Sequence, residues 1–118
     1  MSIKLISLTL NSPNPSNVVA FYSSLGFDFK PVKVSKGSEL YRAVQGEVEL
    51  CVFAMLDKKN AGTPSLQLGF KVEDLDAVYG KLHNISGVTT LMEPTDLPDG
   101  KKAILKDPDG NSIEITQF

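Results

Sequence analysis

A glycine followed by alternating polar and apolar residues occurs twice in the chain, as Gly46-Glu47-Val48-Glu49-Leu50 and as Gly110-Asn111-Ser112-Ile113-Glu114-Ile115. Alternation with a period of two is typical of a half-buried β-strand, and glycine favours the turn that precedes it. In each copy a glutamate, Glu49 or Glu114, interrupts a run of strand-forming residues. The two copies indicate that the chain contains a duplicated unit.

The residues before each copy repeat in the same order. In the first half Pro15 suits the first turn of a helix after the capping residue Asn14, and in the second half Asp74 is the expected cap. The pattern predicts a strand over 7–11, a helix over 15–25 and strands from 27, over 40–44 and over 48–55. It then predicts a polar linker over 57–64, a strand over 66–72, a helix from 75 that ends before Gly87, a strand over 88–91, a loop over 94–100 and strands over 101–106 and 112–118.

Each half is therefore a βαβββ unit, with module one at about residues 1–57 and module two at about residues 64–118. One such unit has an open sheet and only one helix to cover it, so we expect the two sheets to pair. The predicted fold is α+β. It is a single domain over residues 1–118 whose tandem modules form a curved, cup-like mixed sheet with the helices outside.

Composition limits the classes of partner. The 118 residues are 42% hydrophobic and carry a formal net charge of −2, and Cys51 is the only cysteine. A single cysteine cannot form an internal disulfide, and a mildly acidic chain is a poor partner for nucleic acid or an anionic membrane. The first residues do not have the pattern of a signal peptide, so we expect a cytoplasmic protein.

Strand parity selects the side chains that face the cup. Leu8, Leu10, Leu68 and Phe70 suit the helix side, which leaves their alternating neighbours on the concave face. A carboxylate there is costly to bury alone, so we expect each glutamate to lie at an edge, pair with a cation, bind a metal or have a raised pKa. The inward positions are Ser7, Thr9, Glu49, Cys51, Phe53, Met55, Gln67, Gly69, Glu114, Thr116 and Phe118.

Three separated motifs resemble those of the vicinal-oxygen-chelate superfamily, which includes glyoxalases, bleomycin-resistance proteins and extradiol dioxygenases. They occur in the expected order and together cover essentially the whole chain. The resemblance implies paired βαβββ modules and, for a chain of this size, a homodimer. The motifs are Phe21-Tyr22-x-x-Leu25-Gly26-Phe27, Val72-Glu73-Asp74-Leu75-Asp76 and Asp107-Pro108-Asp109-Gly110-Asn111-x-x-Glu114.

The resemblance also implies a divalent-metal site. Its four ligand positions correspond to Ser7, Glu49, Gln67 and Glu114, and Ser7 departs from the family pattern because a neutral hydroxyl replaces an imidazole or amide. The remaining set of Glu49, Gln67 and Glu114 offers only oxygen donors. Among Mn²⁺, Mg²⁺, Ni²⁺ and Zn²⁺, such donors favour Mg²⁺ or Mn²⁺.

Three functions remain open. The first is a protein that binds a small molecule in the cup with an incomplete metal site; a cationic ligand would suit its two glutamates. The second is a metal-dependent lyase, isomerase or dioxygenase in which Glu49 or Glu114 moves a proton. The third is a structural or regulatory dimer without a ligand.

The other candidate ligand contacts each have a structural alternative. Arg42 is the only arginine and suits a carboxylate or phosphate, although its face is not fixed by the pattern. Cys51 is expected to be a small buried hydrophobe rather than a reactive thiol. Phe53 and Phe118 can line a ligand pocket, a dimer contact or the core, while Lys101-Lys102 are interpreted as solvated turn residues.

Overall fold

The computed structural model describes residues 3–35, 38–54 and 67–118. The chain divides into two compact units, Met1–Ala61 and Gly62–Phe118, and each contains one helix and one four-stranded mixed sheet. The predicted α+β fold with two βαβββ modules is therefore confirmed. Met55 and the predicted linker over 57–64 lie outside the described residues.

In module one the first and fourth strands are parallel neighbours, and the sheet order is β1-β4-β3-β2. The helix side of this sheet carries buried Leu10, Leu50 and Val52, and the helix contributes Val18 and Phe21 to the core. The elements are β1 Ser7–Ser12, α1 Pro15–Ser23, β2 Lys30–Ser35, β3 Ser38–Gln45 and β4 Val48–Ala54.

Module two repeats this topology with the order β5-β8-β7-β6. Asp74 caps its helix as predicted, since its carboxylate accepts a hydrogen bond from the Ala77 amide at 3.2 Å. The Gln117 side chain accepts from the Leu75 amide at 2.8 Å, which places α2 on the Gln117 side of the sheet. The elements are β5 Gln67–Lys71, α2 Leu75–Leu82, β6 Thr89–Leu97, β7 Gly100–Lys106 and β8 Ser112–Gln117.

The prediction of a loop over 94–100 was wrong for its first part, because β6 continues through Pro94 to Leu97. A proline is tolerated at this position because β6 is an edge strand, and its pairing with β7 shifts register between Met92 and Thr95.

The first helix begins at Pro15 as predicted, but its cap and its C-terminal end differ from the prediction. Asn14 occupies the N-cap position but its side chain makes no capping bond, and α1 ends at Ser23 rather than residue 25 because residues 24–26 close a tighter turn. The next strand begins at Lys30 rather than at residue 27.

Neither helix in the described part of the chain is long and apolar enough to cross a membrane.

Candidate functional site

The face of the module-two sheet opposite α2 carries three rows of residues, each with at least one polar or charged side chain. Residues that pair directly across neighbouring strands share a face, so the register assigns each row. We call this surface the Glu114 face. Its rows, from β5 across β8 and β7 to β6, are Lys71, Thr116, Lys102 and Thr95; then Gly69, Glu114, Ile104 and Met92; and then Gln67, Ser112, Lys106 and Thr89.

Glu114 lies at the centre of a hydrogen-bonded network. Lys102 forms a salt bridge with its Oε1, and the Gln67 amide donates from Nε2 to its Oε2 at 2.9 Å. The Ser112 hydroxyl donates to Gln67 Oε1 at 3.1 Å. Turning the amide over would set its oxygen against the carboxylate, so the network fixes the orientation of Gln67. Glu114 is thus held by two donors from neighbouring strands, with its side chain 21% exposed.

Two adjoining pockets open on the Glu114 face, each with a volume of about 250 Å³. They share Glu114, Thr116 and Phe118, so the carboxylate, a hydroxyl and an aromatic ring lie along one continuous depression. The first pocket is completed by Leu97, Asp99, Gly100 and Lys102, and the second by Gly69, Phe70 and Lys71.

Phe118 supplies an exposed aromatic surface at this depression. It is 77% exposed, and the ammonium of Lys71 lies 5.4 Å from the centroid of its ring. A cation over an aromatic face is attracted by the ring quadrupole. The pair therefore combines apolar contact area with a positive charge.

Module one contains an equivalent ion pair. Ser7 lies directly opposite Glu49, and Arg42 lies on the diagonal from Glu49 across the β3–β4 pair. Arg42 Nε and Glu49 Oε2 are 3.5 Å apart, and both side chains are about 40% exposed. Lys102 occupies the same diagonal position relative to Glu114. Each glutamate is therefore paired with a cation from the third strand of its own module, one of the outcomes expected from the sequence.

The structure divides the predicted site residues between the modules. Gln67, Glu114 and Phe118 come together on the Glu114 face. The module-one residues, whose function stays a prediction, share one face of their own sheet: Ser7, Thr9, Arg42, Glu49, Cys51 and Phe53. Cys51 is buried and Phe53 half-buried.

Lys71 and Lys102 were missed by sequence reasoning. Lys102 was interpreted as a solvated turn residue, but it lies inside β7 and is paired with Glu114. The sequence pattern that could have found it is alternation: Ala103 and Leu105 are buried on one face of the strand, so Lys102 lies on the opposite face.

Two groups have raised pKa values because each forms a hydrogen bond with a carboxylate. A hydrogen bond to Asp76 raises the pKa of Lys101, and a hydrogen bond to Glu39 raises that of Tyr41. Lys101 and Tyr41 both lie on the helix side of their sheets, as their pairing with Gln117 and Val52 requires.

The divalent metal that the sequence resemblance implies would bind beside cationic side chains. In each module the glutamate already faces a cationic side chain, Arg42 or Lys102, and a divalent ion at the same oxygens would be repelled by that charge. Within the described ranges, no three His, Cys, Asp or Glu residues are arranged to hold a metal ion.

Solved structures share this fold over nearly the whole chain. A glyoxalase-related enzyme from Fulvimarina pelagi matches with a TM-score of 0.73 at 17% identity, covering 98% of this chain and 88% of that one. TnmS3, an antibiotic-binding protein from Streptomyces sp. CB03234, matches with a TM-score of 0.71 at 22% identity, covering 99% and 98% of the two chains. The chain has the vicinal-oxygen-chelate fold.

Further comparisons agree with this assignment. The bleomycin-binding protein of Streptomyces verticillus, solved with copper(II)-bleomycin, matches the vicinal-oxygen-chelate fold of this chain with a TM-score of 0.62 at 18% identity, covering 100% and 98% of the two chains. A family described as lactoylglutathione lyase-like, N-terminal, matches residues 4–54. No curated protein is significantly similar in sequence.

Proposed function

We propose that this chain is a small-molecule-binding protein of the glyoxalase/bleomycin-resistance type that holds its ligand on the Glu114 face without a metal ion. The observation that carries the proposal is the carboxylate of Glu114, which is paired with Lys102 beside the pocket. Glu114 is bonded to Lys102 and Gln67, next to a depression lined by Thr116 and Phe118.

The chemistry of the depression suits an amphipathic molecule. Small-molecule sites are concave surfaces with apolar walls and a few fixed polar groups. Phe118 and Leu97 provide the apolar wall, while Thr116, Lys102 and Glu114 provide the polar groups. The Ser112–Gln67–Glu114 bonds hold these groups in place before a ligand arrives, which reduces the entropy lost on binding.

Two solved proteins with this fold are described as binding antibiotics, TnmS3 and the bleomycin-binding protein. They support a binding role as a function that this fold can perform. The metal-dependent alternative is disfavoured because each glutamate that the metal would need lies beside a cation, Arg42 or Lys102, which would repel a divalent ion.

The binding role is tested by following backbone amide chemical shifts of β8 during titration with a panel of small aromatic compounds. We expect saturable shifts at Glu114, Thr116 and neighbouring residues. Thr116→Phe should abolish them by filling the depression, whereas Thr95→Phe, in the same row on the edge strand, should leave them intact. A panel that gives no saturable shift in the wild type contradicts the proposal.

The absence of a functional metal is tested by elemental analysis after incubation with Mn²⁺, Ni²⁺, Zn²⁺ and Mg²⁺. We expect far less than one metal ion per chain. Near-stoichiometric metal that is lost in a Glu49→Gln/Glu114→Gln double variant would instead support a metal-dependent lyase, isomerase or dioxygenase.

We also propose that the protein is a cytoplasmic homodimer. Exposed apolar side chains in module one support association, since Leu5, Ile6 and Val44 are each more than 60% exposed. Light scattering on the purified protein measures the mass directly, and a monomer at micromolar concentration contradicts this part of the proposal.

A further inference from the structure

Two lysines flank one hydroxyl in a single row of the Glu114 face. Thr116 pairs with Lys71 on one side and with Lys102 on the other. Neighbouring strands lie about 4.8 Å apart, so the two lysine backbones are about 10 Å apart with the Thr116 side chain between them. Both side chains are long enough to turn their ammonium groups toward a ligand atom above Thr116.

The row that contains Thr116 carries two lysines and no carboxylate, and Glu114 lies in the next row. Glu114 forms a salt bridge with Lys102, but among the described residues Lys71 takes part in no salt bridge and its ammonium lies over the Phe118 ring. Lys71, Lys102 and Glu114 together carry one net positive charge next to Thr116, and Asp99 adds one negative charge to the lining of the first pocket. Each ammonium also has three N–H donors, and the bond from Lys102 to Glu114 uses one of its three.

The apolar part of the depression lies beside these donors. Phe118 lines both pockets, and Leu97 lines the pocket that also contains Lys102. Gly69, next to Glu114 in the second row, has no atom within 4 Å of the position a Cβ would take. A flat apolar group therefore has room along this face.

We propose that the Glu114 face selects a singly charged organic anion, an aromatic or apolar carboxylate, whose carboxylate lies above Thr116 between Lys71 and Lys102 and whose ring lies against Phe118. This inference rests on the proposed function and specifies its ligand class. It replaces the cationic ligand suggested by the sequence, because the carboxylate that would have attracted a cation is already neutralised by Lys102.

The test compares three probes of the same shape: benzoate, neutral benzamide and cationic benzamidinium. We expect benzoate to bind roughly tenfold more tightly than benzamide by amide chemical-shift titration, because charge-assisted hydrogen bonds are stronger than neutral ones. Added salt should reduce the difference, since the charges are partly exposed.

The variants separate the effect of Lys71 and Lys102 on binding from the effect of the protein's net charge. Lys71→Met and Lys102→Met should each weaken benzoate binding about three- to tenfold and leave benzamide unchanged. Lys101→Met is the matched control, because Lys101 is adjacent in sequence, lies on the opposite face and pairs with Asp76. Asp99→Asn should strengthen benzoate binding, since it removes a negative charge that lines the pocket.

Lys71→Met keeps the test decisive if Lys102→Met fails to fold, because Lys71 is exposed. Equal binding of benzoate and benzamide, or benzoate binding unaffected by Lys71→Met, overturns this inference while leaving the binding role in place. If no probe perturbs the Glu114 face of the wild type, the proposed function itself fails.

Discussion

The turn before β8 should be the most sensitive polar feature of module two, and replacing Asp107 with alanine should destabilise the protein by about 3 kcal/mol. Asp107 is 1% exposed. Its Oδ1 accepts from the amides of Asp109 and Asn111, both at 2.9 Å, and its Oδ2 accepts from the Asn111 side chain at 2.8 Å. The aspartate thus stabilises the turn that directs the chain into β8, the strand that carries Glu114.

The magnitude follows from these three bonds. A hydrogen bond to a charged group contributes about 1.5–3 kcal/mol, but bonds in one network are not additive and exposed donors can turn to water. Asn111 is also 1% exposed. Its side-chain amide would be left buried without the Asp107 oxygen, and this is the largest single cost of the substitution. Asp107→Asn retains one acceptor oxygen for the two backbone donors, and should cost only about 1 kcal/mol.

Equilibrium urea unfolding of the two variants measures this difference, and the melting temperature of Asp107→Ala should fall by about 10 °C. The control is Asp99→Ala, because Asp99 is exposed in the turn between β6 and β7 and should change stability by less than about 0.5 kcal/mol. A loss below about 1 kcal/mol for Asp107→Ala, or equal losses for alanine and asparagine, would refute the assignment of stability to these hydrogen bonds.

Three further changes test other parts of the fold. Gly100→Ala should destabilise by more than about 2 kcal/mol in urea unfolding, because φ is +138° and a Cβ would lie 2.3 Å from the Gln117 carbonyl oxygen; near-wild-type stability would contradict that close approach. Asp74→Ala should cost about 1 kcal/mol by the same assay through loss of the helix cap, and an unchanged midpoint would show that the cap contributes nothing. The hydrogen bond to Asp76 raises the pKa of Lys101 in the folded state, so its stabilisation is complete below the unfolded pKa and is lost as pH rises through the folded one. Unfolding measured between about pH 9 and pH 11.5 should show a weaker decline for Lys101→Met than for the wild type, and parallel declines would argue against the pair.

The duplicated architecture was predictable because strand parity and helix spacing are local properties. Val48 to Leu50 and Ser112 to Ile115 alternate regularly, and both segments form the fourth strands of their modules. The continuation of β6 through Pro94 was not predictable in this way. A proline ends a strand in most contexts, and only its position at a sheet edge with a register shift makes it acceptable.

The partners of the two glutamates were only half predictable. The sequence indicated that each carboxylate needs compensation, and the two-residue turn Gly46-Glu47 could have fixed the register that puts Arg42 on the face of Glu49. Lys102 was harder to find, because the five-residue connection from Lys106 to Ser112 does not define a register by its length alone. The row of Lys71, Thr116 and Lys102 depends on that register.

The two modules contain the same diagonal ion pair, but its surroundings differ between them. Among the described residues, the salt-bridge partner of Glu49 is the Arg42 guanidinium, at 3.5 Å, and the β4 residue directly opposite Arg42 is buried Cys51, which offers no strong hydrogen-bond donor. Glu114 is held from two sides, and Thr116 takes the place of the cysteine with a hydroxyl at the floor of a pocket. Because both modules contain a carboxylate and a cation, the features that distinguish module two are the Thr116 hydroxyl, the hydrogen bond from the Gln67 amide and the exposed ring of Phe118. These features place several oriented hydrogen-bond donors beside an apolar wall, which is why we propose that a ligand binds on the Glu114 face.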